Sequence, residues 1–332
     1  MDKVLVIQTA FIGDAILGTA LLESLHLEYP NAKIDYLVRN GNQSLFEQHP
    51  FLNDLLIWNK QDSKYSELLR VLKEVRNRKY DAVFNIQRYS ASGILTAFSG
   101  AKLRVGYKSN PLSFMFSKSV NHRFGKGFES VHEVDRVLDL IVENSERTRP
   151  SLYTTPEDKS SVSEYKKEPY VTIAPGSVWF TKQFPVDKWI ELVNQVPENL
   201  DVFIIGAKGD NKIASRIIEK TNRKVSNLTG KLKLLQTAAL MKDAVMNYAN
   251  DSAPVHLASA VNAPIMEVFC STVPEFGFTP LSDNATIIQT EEKLSCRPCG
   301  IHGKSSCPKG HFNCANSVDI GQMVSAVSQY QV

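Results

Sequence analysis

No apolar run in this chain approaches the ~18 residues of a membrane-spanning helix, and the mean hydropathy is −0.19. The amino-terminal stretch Met1–Ile7 is apolar enough to suggest a signal peptide, but Gln8, Thr9 and Asp14 interrupt it and no cleavage pattern follows. A first β-strand and a soluble, cytoplasmic protein are the expectation. Three ligand-binding signatures are missing. Gly13 and Gly18 do not make G-x-G-x-x-G, no G-x-x-x-x-G-K is present, and there is no D-x-D to hold a metal ion. The nearest miss, Glu133-Val134-Asp135, reads as a helix face. Acid is absent altogether from Ala82 to Phe128, a window with seven basic residues: Arg88, Lys102, Arg104, Lys108, Lys118, Arg123 and Lys126. Tyr89, Tyr107, Phe114, Phe116 and Phe124 are interleaved with them. Such a stretch is either a solvated basic face or a surface for a phosphorylated substrate or acidic lipid headgroups. The net charge of +3 is too small to argue for nucleic acid.

With 332 residues, 43% of them hydrophobic, the chain can build two domains with sizeable cores. Strands are expected at Val4–Ile7, Ile34–Val38, Leu55–Trp58 and Ala82–Ile86. Helices fit Ala15–Leu25 and Tyr65–Lys79, the latter with Leu68, Leu69, Leu72 and Val75 on one face. The alternation weakens from Arg147 to Pro169, a linker-like stretch, and then restarts. Strands follow at Tyr170–Ile173, Val202–Gly206 and Ile265–Phe269, with helices at Asp187–Val196, Asn211–Lys220 and Leu234–Lys242. Alternating strands and helices specify α/β domains with parallel, doubly wound sheets.

Three segments carry candidate chemistry. Ligands of such sheets collect outside the carboxyl ends of the strands, and Gly13-Asp14 sits one turn past the first strand. Asp14 either caps the next helix or accepts a proton from an attacking hydroxyl. In Ala174–Pro185, Gly176 permits close backbone approach, Ser177 and Thr181 offer hydroxyls, and Lys182 offers charge to a departing diphosphate. In Asn250–His256, a strand runs directly into a helix start, which aims backbone N–H groups and a positive dipole end at one spot. Asp251 and His256 stand close enough there to hold sugar hydroxyls. The plainer reading of that segment is an ordinary helix cap. Together these groups are expected to form a phosphate clamp facing a base across a cleft, the arrangement needed to transfer a group from a nucleotide-activated donor to a hydroxyl. Cationic side chains and a helix dipole would replace a metal.

The ordered set of motifs resembles glycosyltransferase family 9, the ADP-heptose:lipopolysaccharide heptosyltransferases, over nearly the whole chain. The matching segments are Ile12-Gly13-Asp14, Pro175-Gly176-Ser177 with Thr181–Pro185, Asn227–Lys231, Asn250–Ala258 and Ser271–Phe278. Phe184 stands where the family often has Trp, and Ala253 where glycine is usual. The resemblance implies a GT-B fold of two Rossmann-like domains: residues 1–160 on the acceptor side and 161–332 on the nucleotide-sugar side, with a tail able to return to the first domain. It also implies an inverting transfer that needs no metal or other cofactor, from an ADP-sugar such as ADP-heptose to a lipid-linked core oligosaccharide. Such a protein works peripherally at the cytoplasmic face of the inner membrane. Asp14 takes the position of the base and Lys182 that of the phosphate-binding lysine. Gly13, Ser177, Thr181, Gly230, Lys231, Asp251, Ser252, Ala253 and His256 fall at donor positions. Arg88, Arg104, Lys108 and Arg123 are the candidates for the acceptor.

Four of the five cysteines cluster near the end: Cys296, Cys299, Cys307 and Cys314, with His302 and His311 among them. Cys296-Arg297-Pro298-Cys299 resembles half of a zinc knuckle, while Cys307 and Cys314 are spaced more loosely. The cluster reads as a structural Zn²⁺ site, as reduced thiols or as a redox-labile pair. Cys270 reads as a buried core thiol. Two other functions keep the fold: a nucleotide-sugar epimerase or hydrolase, for which no second carboxylate beside Asp14 is evident, and a non-catalytic sugar-nucleotide-binding protein.

Overall fold

The computed structural model describes residues 1–59, 64–125, 127, 131–141 and 147–330. Lys126 and Phe128 of the acid-free window lie outside the described residues. The chain divides into two compact units, Met1–Tyr153 and Thr154–Val332.

The strands of the first unit are β1 (Lys3–Gln8), β2 (Lys33–Arg39), β3 (Leu52–Trp58), β4 (Ala82–Asn85), β5 (Leu103–Tyr107) and β6 (Lys118–Val120). Its helices are α1 (Ile12–Leu17), α2 (Thr19–Glu28), α3 (Lys64–Arg78), α4 (Ser90–Ala97) and α5 (Glu133–Leu138). In the second unit β7 (Tyr170–Ala174), β8 (Asp201–Ile204), β9 (Ser226–Asn227), β10 (Met246–Asn250), β11 (Ile265–Phe269) and β12 (Ala285–Gln289) form the sheet. It is flanked by α6 (Pro156–Ser161), α7 (Val186–Gln195), α8 (Asn211–Lys220), α9 (Leu234–Lys242), α10 (Ala253–Ala260), α11 (Asn313–Asn316) and α12 (Gly321–Ser325).

Both sheets are six-stranded, ordered β3-β2-β1-β4-β5-β6 and β12-β11-β10-β7-β8-β9, and their strand pairs are parallel. Each unit therefore repeats one winding pattern, in which the first and fourth strands of the unit lie side by side. The order reverses between β1 and β4 and again between β7 and β10. A crevice for ligands opens at such a reversal. The expected pair of Rossmann-like domains is what the chain forms.

Helices on both faces explain why Val4 to Ile7 are completely buried and read as an unbroken apolar run. β10 is as buried, yet it carries Asn247 and Asn250. Both amides are satisfied. Asn247 donates to Met241 O at 2.9 Å and Pro264 O at 2.7 Å, and accepts from Thr172 Oγ1 at 2.5 Å. Where one helix was expected from Ala15 to Leu25, there are two, separated at Gly18 where the Tyr36 hydroxyl reaches in to donate to Ala15 O at 2.9 Å.

The linker-like stretch after Arg147 contains α6, closed by a Thr155/Asp158 capping box. Just after it, Lys166 Nζ donates to Ala239 O at 2.8 Å and pairs with Asp243 at 2.6 Å, so this segment joins the second unit. The carboxyl-terminal segment, expected to be able to return to the first domain, supplies Val318, Ile320, Met323 and Val327 to the second unit's core beside Trp189 and Tyr248.

Candidate active site

Two loops meet at the β7/β10 reversal. The buried Asn250 side chain fastens them together: its Nδ2 donates to Pro175 O at 2.7 Å, and its Oδ1 accepts from Phe184 N at 2.9 Å. The loop after β7 consequently lies over the end of β10. Lys182 Nζ pairs with Asp251 Oδ2 at 2.8 Å, with side-chain exposures of 15% and 9%. Thr272 Oγ1 donates to the same carboxylate oxygen at 2.5 Å. Ser252 is the extended residue before α10; its hydroxyl donates to Asn250 O at 3.1 Å and makes no side-chain cap. Ala253 opens α10, and His256 is buried within it. The half-buried Ser177 keeps its place through Gln183 Nε2, which donates to Ser177 O at 2.7 Å.

Two donor-side expectations change. Thr181 does not face outward: it is 1% exposed, and its hydroxyl accepts from Lys304 N at 2.7 Å and Ser271 Oγ at 2.9 Å. It supports Lys182 from behind. Gly176 is needed for a close approach, but by the protein itself, because a Cβ there would stand 2.3 Å from Asp210 Oδ1. Gly230 and Lys231 follow β9, where Gly230 N donates to Gly206 O at 2.9 Å and Lys231 is exposed. Beneath the ion pair lies a group that sequence reasoning passed over. Glu267, in the middle of β11, is fully buried, and neither of its carboxyl oxygens has a hydrogen-bond partner among the described residues. Burial, with the Asp251 charge adding to it and Lys182 opposing, pushes this carboxyl well above the ordinary range.

In the first unit, Gly13 and Asp14 lie in the first turn of α1, past the end of β1, and both are partly exposed. A cavity of about 340 Å³ opens at the same sheet end, lined by Thr9, Trp58, Gln87, Tyr89, Ser90 and Ser92. Glu133, read in the sequence as part of a helix face, stands near enough to Asp14 to feel its charge. Burial, with the Asp14 charge adding to it, outweighs Arg136, 2.9 Å away, and Arg88, and the carboxyl is pushed up to about 6. Of the four basic candidates, Arg88 and Lys108 are exposed. Arg123 is committed to Asp139, at 2.6 and 2.8 Å. Arg104 is committed to Ala101 O at 2.6 Å and Met115 O at 3.3 Å. The last two hold the fold, so they are not free for an acceptor.

Cys296, Cys299, Cys307 and Cys314 line one cavity of about 470 Å³ with His311. Among the described residues, however, no three His, Cys, Asp or Glu side chains converge as a metal ion requires. Two of the thiols have separate contacts: Cys299 Sγ donates to Cys296 O at 3.5 Å, and Cys296 Sγ lies 3.8 Å from His311 Nε2. Desolvation would raise the Cys307 thiol, but the backbone N–H groups of Phe312, Lys309, Gly310 and His311 outweigh it and hold the thiol below its ordinary range. The zinc expectation does not fit this arrangement. Cys270 is buried, as expected, with its thiol pushed far up by burial.

The family model for glycosyltransferase family 9 (heptosyltransferase) matches residues 68–306. The chain belongs to that family. Lipopolysaccharide heptosyltransferase 2 of Escherichia coli K12 is 23% identical over 309 residues, covering 86% of this chain and 88% of that protein. The solved structure of E. coli ADP-heptose lps heptosyltransferase II superposes with a TM-score of 0.77 at 20% identity, covering 99% of each chain. That of E. coli heptosyltransferase WaaC with ADP-2-deoxy-2-fluoro heptose does so with a TM-score of 0.72 at 17% identity, covering 97% of this chain and 99% of that one. The family match makes this chain a glycosyltransferase and agrees with the motif order in its sequence. It does not account for Glu133 or Glu267. Glu267 would have been visible only as an acidic residue inside the otherwise apolar strand β11, and Glu133 only as one charge among several on a short helix, weak signals until burial is known.

Proposed function

We propose that the chain transfers a heptose, or a related sugar, from an ADP-sugar to the core oligosaccharide of a lipopolysaccharide or lipooligosaccharide, with inversion and without a metal. The observation that carries this reading is the Lys182–Asp251 pair beside the start of α10, at the sheet reversal of the second unit. In it, Asp14 takes the proton from an acceptor hydroxyl and the hydroxyl oxygen attacks the anomeric carbon. The bond to the β-phosphate oxygen breaks and ADP departs with the electron pair. Lys182 exchanges its carboxylate partner for the diphosphate, and the N–H groups at the start of α10 add their dipole. Asp251, freed from Lys182, accepts hydrogen bonds from donor hydroxyls.

The relatives named above support the donor and acceptor classes by their own names. In the first unit, exposed Arg88, Lys108, Tyr89 and Phe11 suit an acceptor bearing phosphates on a sugar chain. Its lipid part would keep the protein peripherally on the cytoplasmic face of the inner membrane; no described helix is long and apolar enough to cross one.

Replacing Asp14 by Ala tests the assignment. Turnover should fall by roughly 10²–10⁴-fold, with ADP binding unchanged by calorimetry; full turnover in the variant would remove Asp14 from the mechanism. Glu133 supplies the second carboxyl that a hydrolase or epimerase needs, although Arg136 holds it in an ion pair. Rapid consumption of ADP-heptose without acceptor would favour that second reading.

A further inference from the structure

The cysteine-bearing loop 296–311 bonds the neighbours that hold both members of the Lys182–Asp251 pair. On the lysine side, Thr181 N donates to Lys304 O at 3.0 Å, and Lys304 N donates back to Thr181 Oγ1 at 2.7 Å. Ser271 continues the ladder, its N–H donating to Thr181 O at 3.2 Å, while Cys299 N donates to Ser271 O at 2.9 Å. On the aspartate side, Arg297 donates to Thr272 O through Nε at 3.1 Å and Nη2 at 2.8 Å. The Thr272 hydroxyl holds Asp251. Between the two sides runs Gly303, with φ +76°. A Cβ there would stand 3.0 Å from both Lys182 Cγ and Thr181 Oγ1. A side chain at Gly303 would therefore be strained by the positive φ and would press on the stem of Lys182.

A lysine ammonium is a point charge on a flexible stem. Its usefulness to a diphosphate depends on how much freedom the surroundings have already removed. We propose that loop 296–311 is a positioning element of the donor site: Gly303 and the Lys304 backbone set the place of Lys182 through Thr181, and Arg297 sets that of Asp251 through Thr272. This rests on the donor-site reading proposed above.

The test uses the full chain and calorimetric titration with ADP, followed by initial rates against ADP-heptose and acceptor separately. Gly303→Ala should weaken ADP binding and raise the donor KM at least about tenfold, with the acceptor KM unchanged. Thr181→Val, which keeps the shape and loses the hydroxyl, should do the same, and Thr181→Ser should restore binding to within about threefold of wild type. A loop that merely stabilises the fold would lower the melting temperature and leave ADP affinity and the donor KM alone. That outcome, or wild-type affinity in both Gly303→Ala and Thr181→Val, overturns the proposal. Failure of the wild-type chain to bind ADP would overturn the donor-site reading instead.

Discussion

Glu267 and Thr181 carry opposite lessons about single residues. Thr181 has the chemistry of a ligand-contacting hydroxyl, yet the side chain points inward because Lys304 and Ser271 present partners there. Glu267 has the chemistry of a surface residue and lies in the core. A buried carboxyl without partners stays protonated, and its raised pKa makes the folded state bind a proton that the unfolded chain releases above its own, ordinary pKa. Its contribution to stability is therefore best below about pH 4.5 and is lost as pH rises beyond it. Glu267→Gln should raise the thermal midpoint of the second unit by a few degrees at pH 8 and by much less near pH 4.5. Glu267→Leu should gain more, because it also removes the unpaired polar atoms. Melting curves of the variants against pH decide this; a Glu267→Gln gain that does not grow with pH would show that the carboxyl is not held neutral.

At the scale of elements, the second unit's site depends on β10 ending in a residue that can both donate and accept. Asn250 closes the gap between β10 and the loop after β7 by bonding Pro175 O and Phe184 N. Substitution by Ala leaves a buried N–H and a buried carbonyl without these partners, at a loss of about 1–3 kcal/mol for each unsatisfied group. The expected result is a denaturant midpoint lowered for the second unit, together with weaker ADP binding, because the loop bearing Lys182 is no longer anchored. Equal ADP affinity in the Asn250→Ala variant would mean that the loop holds its shape by other contacts. Sequence reading missed β5, β6, β9, β12, α4, α6, α11 and α12, and β6 shows one physical cause. β6 is Lys118-Ser119-Val120 and only partly buried, so it has no alternating apolar signal. The sheet is completed there by its neighbours rather than by its own pattern.

For the whole molecule, pH acts on the two units with opposite sign. In the first unit His49 is buried with neither ring nitrogen hydrogen-bonded among the described residues, against Phe51 and Tyr153. Burial, aided by the His26 charge, lowers it to about 4. Burial, with Arg88 and Arg136, lowers His122 to about 4 as well. Below about pH 6.5 the unfolded chain takes up protons that these folded imidazoles refuse, so the first unit loses stability down to about pH 4. Glu133 offsets part of this: raised to about 6, it contributes most below about pH 4.5 and loses that contribution as pH rises through 6. Glu267 weakens the second unit as pH rises. Calorimetry should show the first unit's transition falling relative to the second's between pH 7 and pH 4.5. His49→Phe should lessen that fall, and an unchanged pH dependence in this variant would exclude His49 as its source.

Apolar periodicity and the loop motifs by themselves determined the two α/β units, most of their strands and long helices, the candidate base, the lysine loop and the start of α10. These signals are local: a strand or a helix start is encoded by residues within one or two turns of each other. Tertiary structure alone decided which way side chains such as Thr181 and Arg123 face, that Glu133 lies near Asp14 in the first unit, and that Glu267 lies near Lys182 and Asp251 in the second. It also tied the cysteine loop to Lys182. Those outcomes depend on burial and on partners far away in the chain. Lys304 lies beside Thr181, and Thr272 beside Asp251, only because the parallel strands bring the loops at their carboxyl ends to one edge.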